Sequence, residues 1–175
     1  MLSLYEITVI NFSRNLEACI DVMTKGEAFL TAQNIDLNAI VNLRLADDML
    51  PFSAQVNIAA HNAAGGVQAM LDGEFTPPQV SLDGLDYQGL IAHFKSALAT
   101  LNTFSAEEVN GCFGKPLYFK AGGNTVPFTS ENFIMSFAAP NVYFHTTTIY
   151  DMLRMQGVPL GKKDYLGNMK IGIAE

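Results

Sequence analysis

Chemistry in this chain would have to be built on His145, Asn141 and His61. His145 lies in the stretch TSENFIMSFAAPNVYFHTTTIYDMLRMQG, residues 129–157. Asn141 stands four residues before it and Thr148 three after, so a helix places all three on one stripe. His61 belongs to a separate run, AAHNAAGG, with Gln55 six residues upstream. Neutral imidazoles are good ligands for Zn, Ni, Fe or Co, but two are too few to close a site. An asparagine carbonyl oxygen can serve as a third donor, with water filling the remaining positions. His61, Asn141 and His145 therefore form one candidate metal set, lined by Gln55 and Thr148. The same residues also suit a metal-free network in which Asn141, His145, Thr148 and Gln55 satisfy one another. Proton transfer without a metal is a third use. No HExxH, GxGxxG, Walker loop or GxSxG accompanies them. No glutamate stands beside them in sequence as a general base, and catalytic residues stay unassigned.

The elements that must position these residues are helices. Ser3 and Glu6 have capping-box spacing and open an apolar pattern that predicts a first helix over residues 3–32. Asp36 caps a short following helix. Pro51 suits the first turn of a second helix, over 51–71, which carries His61. Its small residues permit close approach or leave room for a pocket, and Gly65 and Gly66 demand a packing reason or a bend. The segment 72–86, with Pro77, Pro78 and Gly84, reads as a loop. Asp86 caps a third helix over 86–101. His93 is next to its apolar face with no polar neighbour at helical spacing. Ser105 and Glu108 repeat the capping-box pair. The run PLYFKAGGNTVPF predicts a small β-hairpin around GGN. The last helix, over 130–156, is capped by Thr129 or Ser130 and is expected to kink or break at Pro140. The tail from Val158 is too glycine-rich for another helix and is expected to pack back on the body or cross a partner. The architecture predicted is an all-α four-helix bundle with a β-hairpin insertion before the last helix, as one domain over residues 1–175.

Composition narrows the partners. Nearly half the 175 residues are hydrophobic and only 15% are charged. That is little charge for a monomer's surface, and a homodimer is the expectation. The net charge of −7 argues against nucleic acid and anionic membranes as partners. Two cysteines, Cys19 and Cys112, make no disulfide framework. The start MLSLYEITVINF lacks a basic n-region, and no run is long enough to span a bilayer, so the cytoplasm is expected.

Several stretches carry a resemblance. SLYEITVINF, LADDMLPFSAQV and FAAPNVYFHTTTIYDMLRMQGVPLGKKDYLG resemble one bacterial family of unknown function within the DinB-like (YfiT-like) metal-binding four-helix bundles. The resemblance covers nearly the whole chain and is most specific at NVYFHTTTIY and GVPLGKKDYLG. Many such bundles bind a divalent metal through a histidine on the second helix and an HxxxH pair on the fourth. Carried over, the resemblance implies His61 and His145 as ligands and places Asn141 where the first histidine of the pair stands. The motif here is NxxxH. Wider relatives include thiol-dependent transferases and isomerases. The expectation is a DinB-like bundle of unassigned activity with a polar interior pocket suited to a divalent metal. A metal-dependent transferase or hydrolase acting on a small molecule is one alternative, and a non-enzymatic dimeric binding or structural protein is another.

Overall fold

The computed structural model describes residues 2–79 and 84–172. Part of the segment read as a loop, residues 80–83, and the last three residues of the tail lie outside the described residues.

The first helix runs from Leu4 through a π-helical turn, Glu6–Ile10, into α1 (Asn11–Ala32). Its capping box forms as expected: Glu6 Oε2 accepts from the Ser3 amide and hydroxyl, both at 2.9 Å. Asp36 caps α2 (Leu37–Val41) through the Asn38 amide. The second long helix comprises α3 (Phe52–Ala60), a π-helical turn at His61–Gly65, and α4 (Gly66–Asp72). Asp86 caps α5 (Tyr87–Leu101), and Ser105 with Glu108 boxes the short α6 (Ala106–Asn110). The last helix joins α7 (Ser130–Phe133), a π-helical turn at Ile134–Ala138, and α8 (Ala139–Met155).

Four long helices close a ring: α1 packs on α5 and α8, and α3 packs on the same two. Phe12, Leu16, Met23, Phe52, Val56, Phe94, Ile149 and Met152 are fully buried between them. Gly66 has its packing reason here. A Cβ at Gly66 would lie 3.3 Å from the Cβ of Ala138, so the missing side chain lets helices two and four approach. Pro140 does not break the last helix. It falls in the first turn of α8, directly after the π-helical turn, and the wider turn accommodates a residue with no amide hydrogen.

The expected hairpin is β2 (Pro116–Ala121) paired antiparallel with β3 (Asn124–Thr129). Gly122 and Gly123 turn it with φ of 56° and 80°, the positive values a two-residue hairpin loop needs. Three details differ from the expectations. The segment 72–86 is not all loop: β1 (Glu74–Phe75) adds a third strand, parallel to β2. Two residues are too short to show a period of two. Thr129 occupies the cap position of α7, but its hydroxyl is buried without a partner and makes no cap. The tail contains a short helix, α9 (Lys162–Leu166), despite its glycines, because Asp164 accepts from the Gly161 amide at 2.7 Å. As expected, the tail packs on the body. Asp164 pairs with Lys25, and Thr147 Oγ1 donates to Tyr165 Oη at 3.0 Å. Among the described residues, no helix is long and apolar enough to cross a membrane.

Candidate functional site

His145 and Gln55 meet inside the bundle. His145 projects from α8, and its Nδ1 lies 2.6 Å from Gln55 Oε1 on α3. The proton can be placed from the next bond along. Gln55 Nε2 donates to the Leu50 carbonyl at 2.9 Å, and a carbonyl can only accept. The amide is therefore oriented with Oε1 toward His145, so Nδ1 carries the hydrogen and donates it. The lone pair is left on Nε2. The ring is only 8% exposed. Burial holds its pKa down at about 4, so it is neutral at physiological pH.

Asn141 and Thr148 flank His145 on the same helix, each bound to its own backbone. Asn141 Nδ2 donates to the Phe137 carbonyl at 2.8 Å, and Thr148 Oγ1 donates to the Phe144 carbonyl at 2.8 Å. Asn141 Oδ1 keeps its acceptor capacity. The four-residue spacing puts Asn141 and His145 on one face of the helix.

His61 has a separate setting. Its Nε2 lies 2.8 Å from the carbonyl oxygen of Thr76, so Nε2 is the protonated nitrogen and Nδ1 holds the lone pair. The ring packs on Phe75 with centroids 5.1 Å apart. It shares no hydrogen bond with Asn141 or His145. Instead it lines a cleft of about 220 Å³ between the second helix and α5, together with Asn57, Gly65, His93, Ser96 and Thr100. Burial, and then the nearby His61, lowers the pKa of half-buried His93. His93 does have polar neighbours at helical spacing, since Ser96 and Thr100, three and seven residues further along α5, line the same cleft, while His61 reaches it from the second helix.

Other polar residues escaped the sequence reading. Asn57 Nδ2 donates to the Gln79 carbonyl at 2.6 Å, and the buried Asn62 leaves its Oδ1 without a partner. Burial pushes both the Cys19 and Cys112 thiols up, so neither is poised as a thiolate. Among the described residues, no group of three or more His, Cys, Asp or Glu side chains is gathered as a metal cluster.

The family described as "Domain of unknown function (DUF1993)" matches residues 4–166. The chain belongs to that family. A solved structure agrees: the crystal structure of a DinB family member protein from Shewanella denitrificans is 31% identical. The match covers 98% of this chain and 96% of that one, with a TM-score of 0.81. No curated protein matches. The DinB-like helical bundle expected from the sequence is thus the fold of this DUF1993 chain, with a three-stranded sheet where a hairpin was expected.

For the divalent metal that DinB-like bundles imply, the fit divides. His145 suits a ligand, because an oxygen acceptor holds one ring nitrogen and the other is free, the usual arrangement around a metal-bound imidazole. Asn141, one turn earlier on the same helix, has an amide oxygen of the kind that makes a weak donor. His61 is oriented equally well, but toward the cleft that His93 lines.

Proposed function

We propose that this DUF1993 chain is a binding protein that takes a divalent cation on the inner face of its last helix. His145 Nε2 is the principal donor and Asn141 Oδ1 the secondary one, near Gln55 and Thr148. The observation that carries this reading is the bond from His145 to Gln55, which fixes a neutral tautomer with Nε2 as its lone pair. Both donors are uncharged, which favours Zn, Ni or Fe over Ca or Mg and makes the affinity moderate. The cation is therefore exchangeable. The metal would supply a Lewis acid and an open water position. What the chain itself supplies is orientation of the imidazole and exclusion of bulk water around it.

Zinc titration of metal-free protein tests the reading. His145→Ala should abolish binding at this face. Gln55→Leu should weaken it about 10–100-fold by releasing the ring. Asn141→His should strengthen it by replacing an amide oxygen with a second imidazole. Binding there that survives His145→Ala refutes the assignment. A folded protein whose His145 ignores zinc in both the native and Asn141→His forms leaves the bond to Gln55 as a structural clamp between helices two and four.

A homodimer is a second reading, supported by the outer face of the last helix. Phe144 and Met155 are 57% and 56% exposed, and their spacing of eleven residues puts them on one stripe of α8.

A further inference from the structure

We infer that the cleft between the second helix and α5 is a separate cation site, in which His61 and His93 together hold one first-row transition ion such as Zn²⁺ or Cu²⁺. The argument starts from the His61 ring. The Thr76 carbonyl fixes its hydrogen on Nε2, which leaves Nδ1 as the donor nitrogen. Nδ1 lies on the side of Gly65, where a Cβ would come within 3.2 Å of both Nδ1 and Cε1. Gly65 lines the cleft, and the absence of its side chain keeps that nitrogen accessible.

His93 reaches the same cleft from the opposite helix. The remaining polar lining consists of Asn57, Ser96 and Thr100, and carries no carboxylate. Two imidazoles with neutral oxygens select Zn²⁺, Cu²⁺ or Ni²⁺ and discriminate against Ca²⁺ and Mg²⁺, which need anionic oxygen ligands. A cleft of about 220 Å³ holds an ion with several waters, given a water volume of about 30 Å³. The ligands come from two helices, so bound metal ties the second helix to the third. His145 is not part of this cleft, so the inference stands apart from the reading of the last helix.

The chain has three histidines, so its imidazole ¹⁵N spectrum has three sets of signals, one for each residue. Zinc added to metal-free protein should move the His61 and His93 signals together in one saturable step. The His61 shift should fall on Nδ1. His93→Ala should reduce zinc affinity at His61 on the order of 100-fold, the loss expected when a two-point attachment becomes one. Gly65→Ala keeps both histidines and crowds Nδ1, so it should also weaken binding at an unchanged circular dichroism spectrum. A His61 that binds equally well in the His93→Ala variant overturns the inference. So does a His93 signal that stays fixed at saturating zinc, or a Gly65→Ala protein with native affinity.

Discussion

Replacing His145 with glutamine should flatten the acid limb of the stability curve. The buried imidazole titrates at about 4 in the folded chain, against about 6.5 when exposed. The folded state thus favours the neutral ring, and the unfolded state binds the extra proton between those two values. The sign follows: stability from this group is fully present above pH 6.5 and is lost as the pH falls toward 4. Going from pH 8 to pH 5, the linkage relation gives a loss of about 2 kcal/mol, and about 3 kcal/mol when the folded ring is also protonated. For a chain of this size, 2 kcal/mol corresponds to roughly 4–8 °C in Tm. The assay is urea denaturation followed by circular dichroism at pH 8, 6.5 and 5, with chelator present to keep metal out. His93 is depressed in the same direction, so the quantity to read is the difference between native protein and His145→Gln. Glutamine does not titrate here, and the variant should be less stable at pH 8 but lose about 2 kcal/mol less on acidification. An identical pH slope in the two proteins would refute the claim that His145 is held neutral by burial.

Two further outcomes test the docking of surfaces. Gly167→Ala should loosen the tail: the residue has a φ of 61°, and a Cβ would lie 2.7 Å from the Cβ of Ala18. The expected cost is about 1–3 kcal/mol, read as faster hydrogen exchange in Lys162–Leu166, and native protection there would contradict it. Sedimentation at micromolar concentration should show twice the chain mass, and Phe144→Glu should shift the protein to monomer. A native protein that is monomeric throughout that range removes the dimer reading.

The sequence was most legible where one local signal decides the structure. Both serine–glutamate capping boxes, the Asp36 and Asp86 caps and the GGN hairpin turn formed where the residue types required them. The long helices kept their apolar periods and their ends. What stayed hidden depends on neighbours distant in sequence or on backbone detail without a residue code. The π-helical turns at His61–Gly65 and Ile134–Ala138 leave the apolar pattern intact, and only Gly65, Gly66 and Pro140 hint that the backbone departs from a regular helix. Gln55 could be named beside His145, but the direction of its amide comes from the Leu50 carbonyl. That His61 and His93 line one cleft from different helices had no signature along either helix alone.

The small sheet takes part in orienting His61. His145 is oriented by a side chain of the neighbouring helix, whereas His61 is oriented by a backbone carbonyl just beyond β1. A carbonyl in a loop is a reliable acceptor only if the loop is held, and aromatic packing holds this one. Phe75 of β1 meets Phe133 and Phe137 of the last helix at centroid distances of 4.9 and 5.8 Å, and Phe119 of β2 meets Phe137 at 5.0 Å. These contacts seat the sheet on the bundle and bring the Thr76 carbonyl to the His61 ring. The His61 ring itself rests on Phe75. The direction of the His61 lone pair is therefore set by the sheet's docking rather than by the helix that carries the histidine. The second helix carries His61, and the docked strand β1 supplies the aromatic face its ring rests on and leads directly into the carbonyl that orients it.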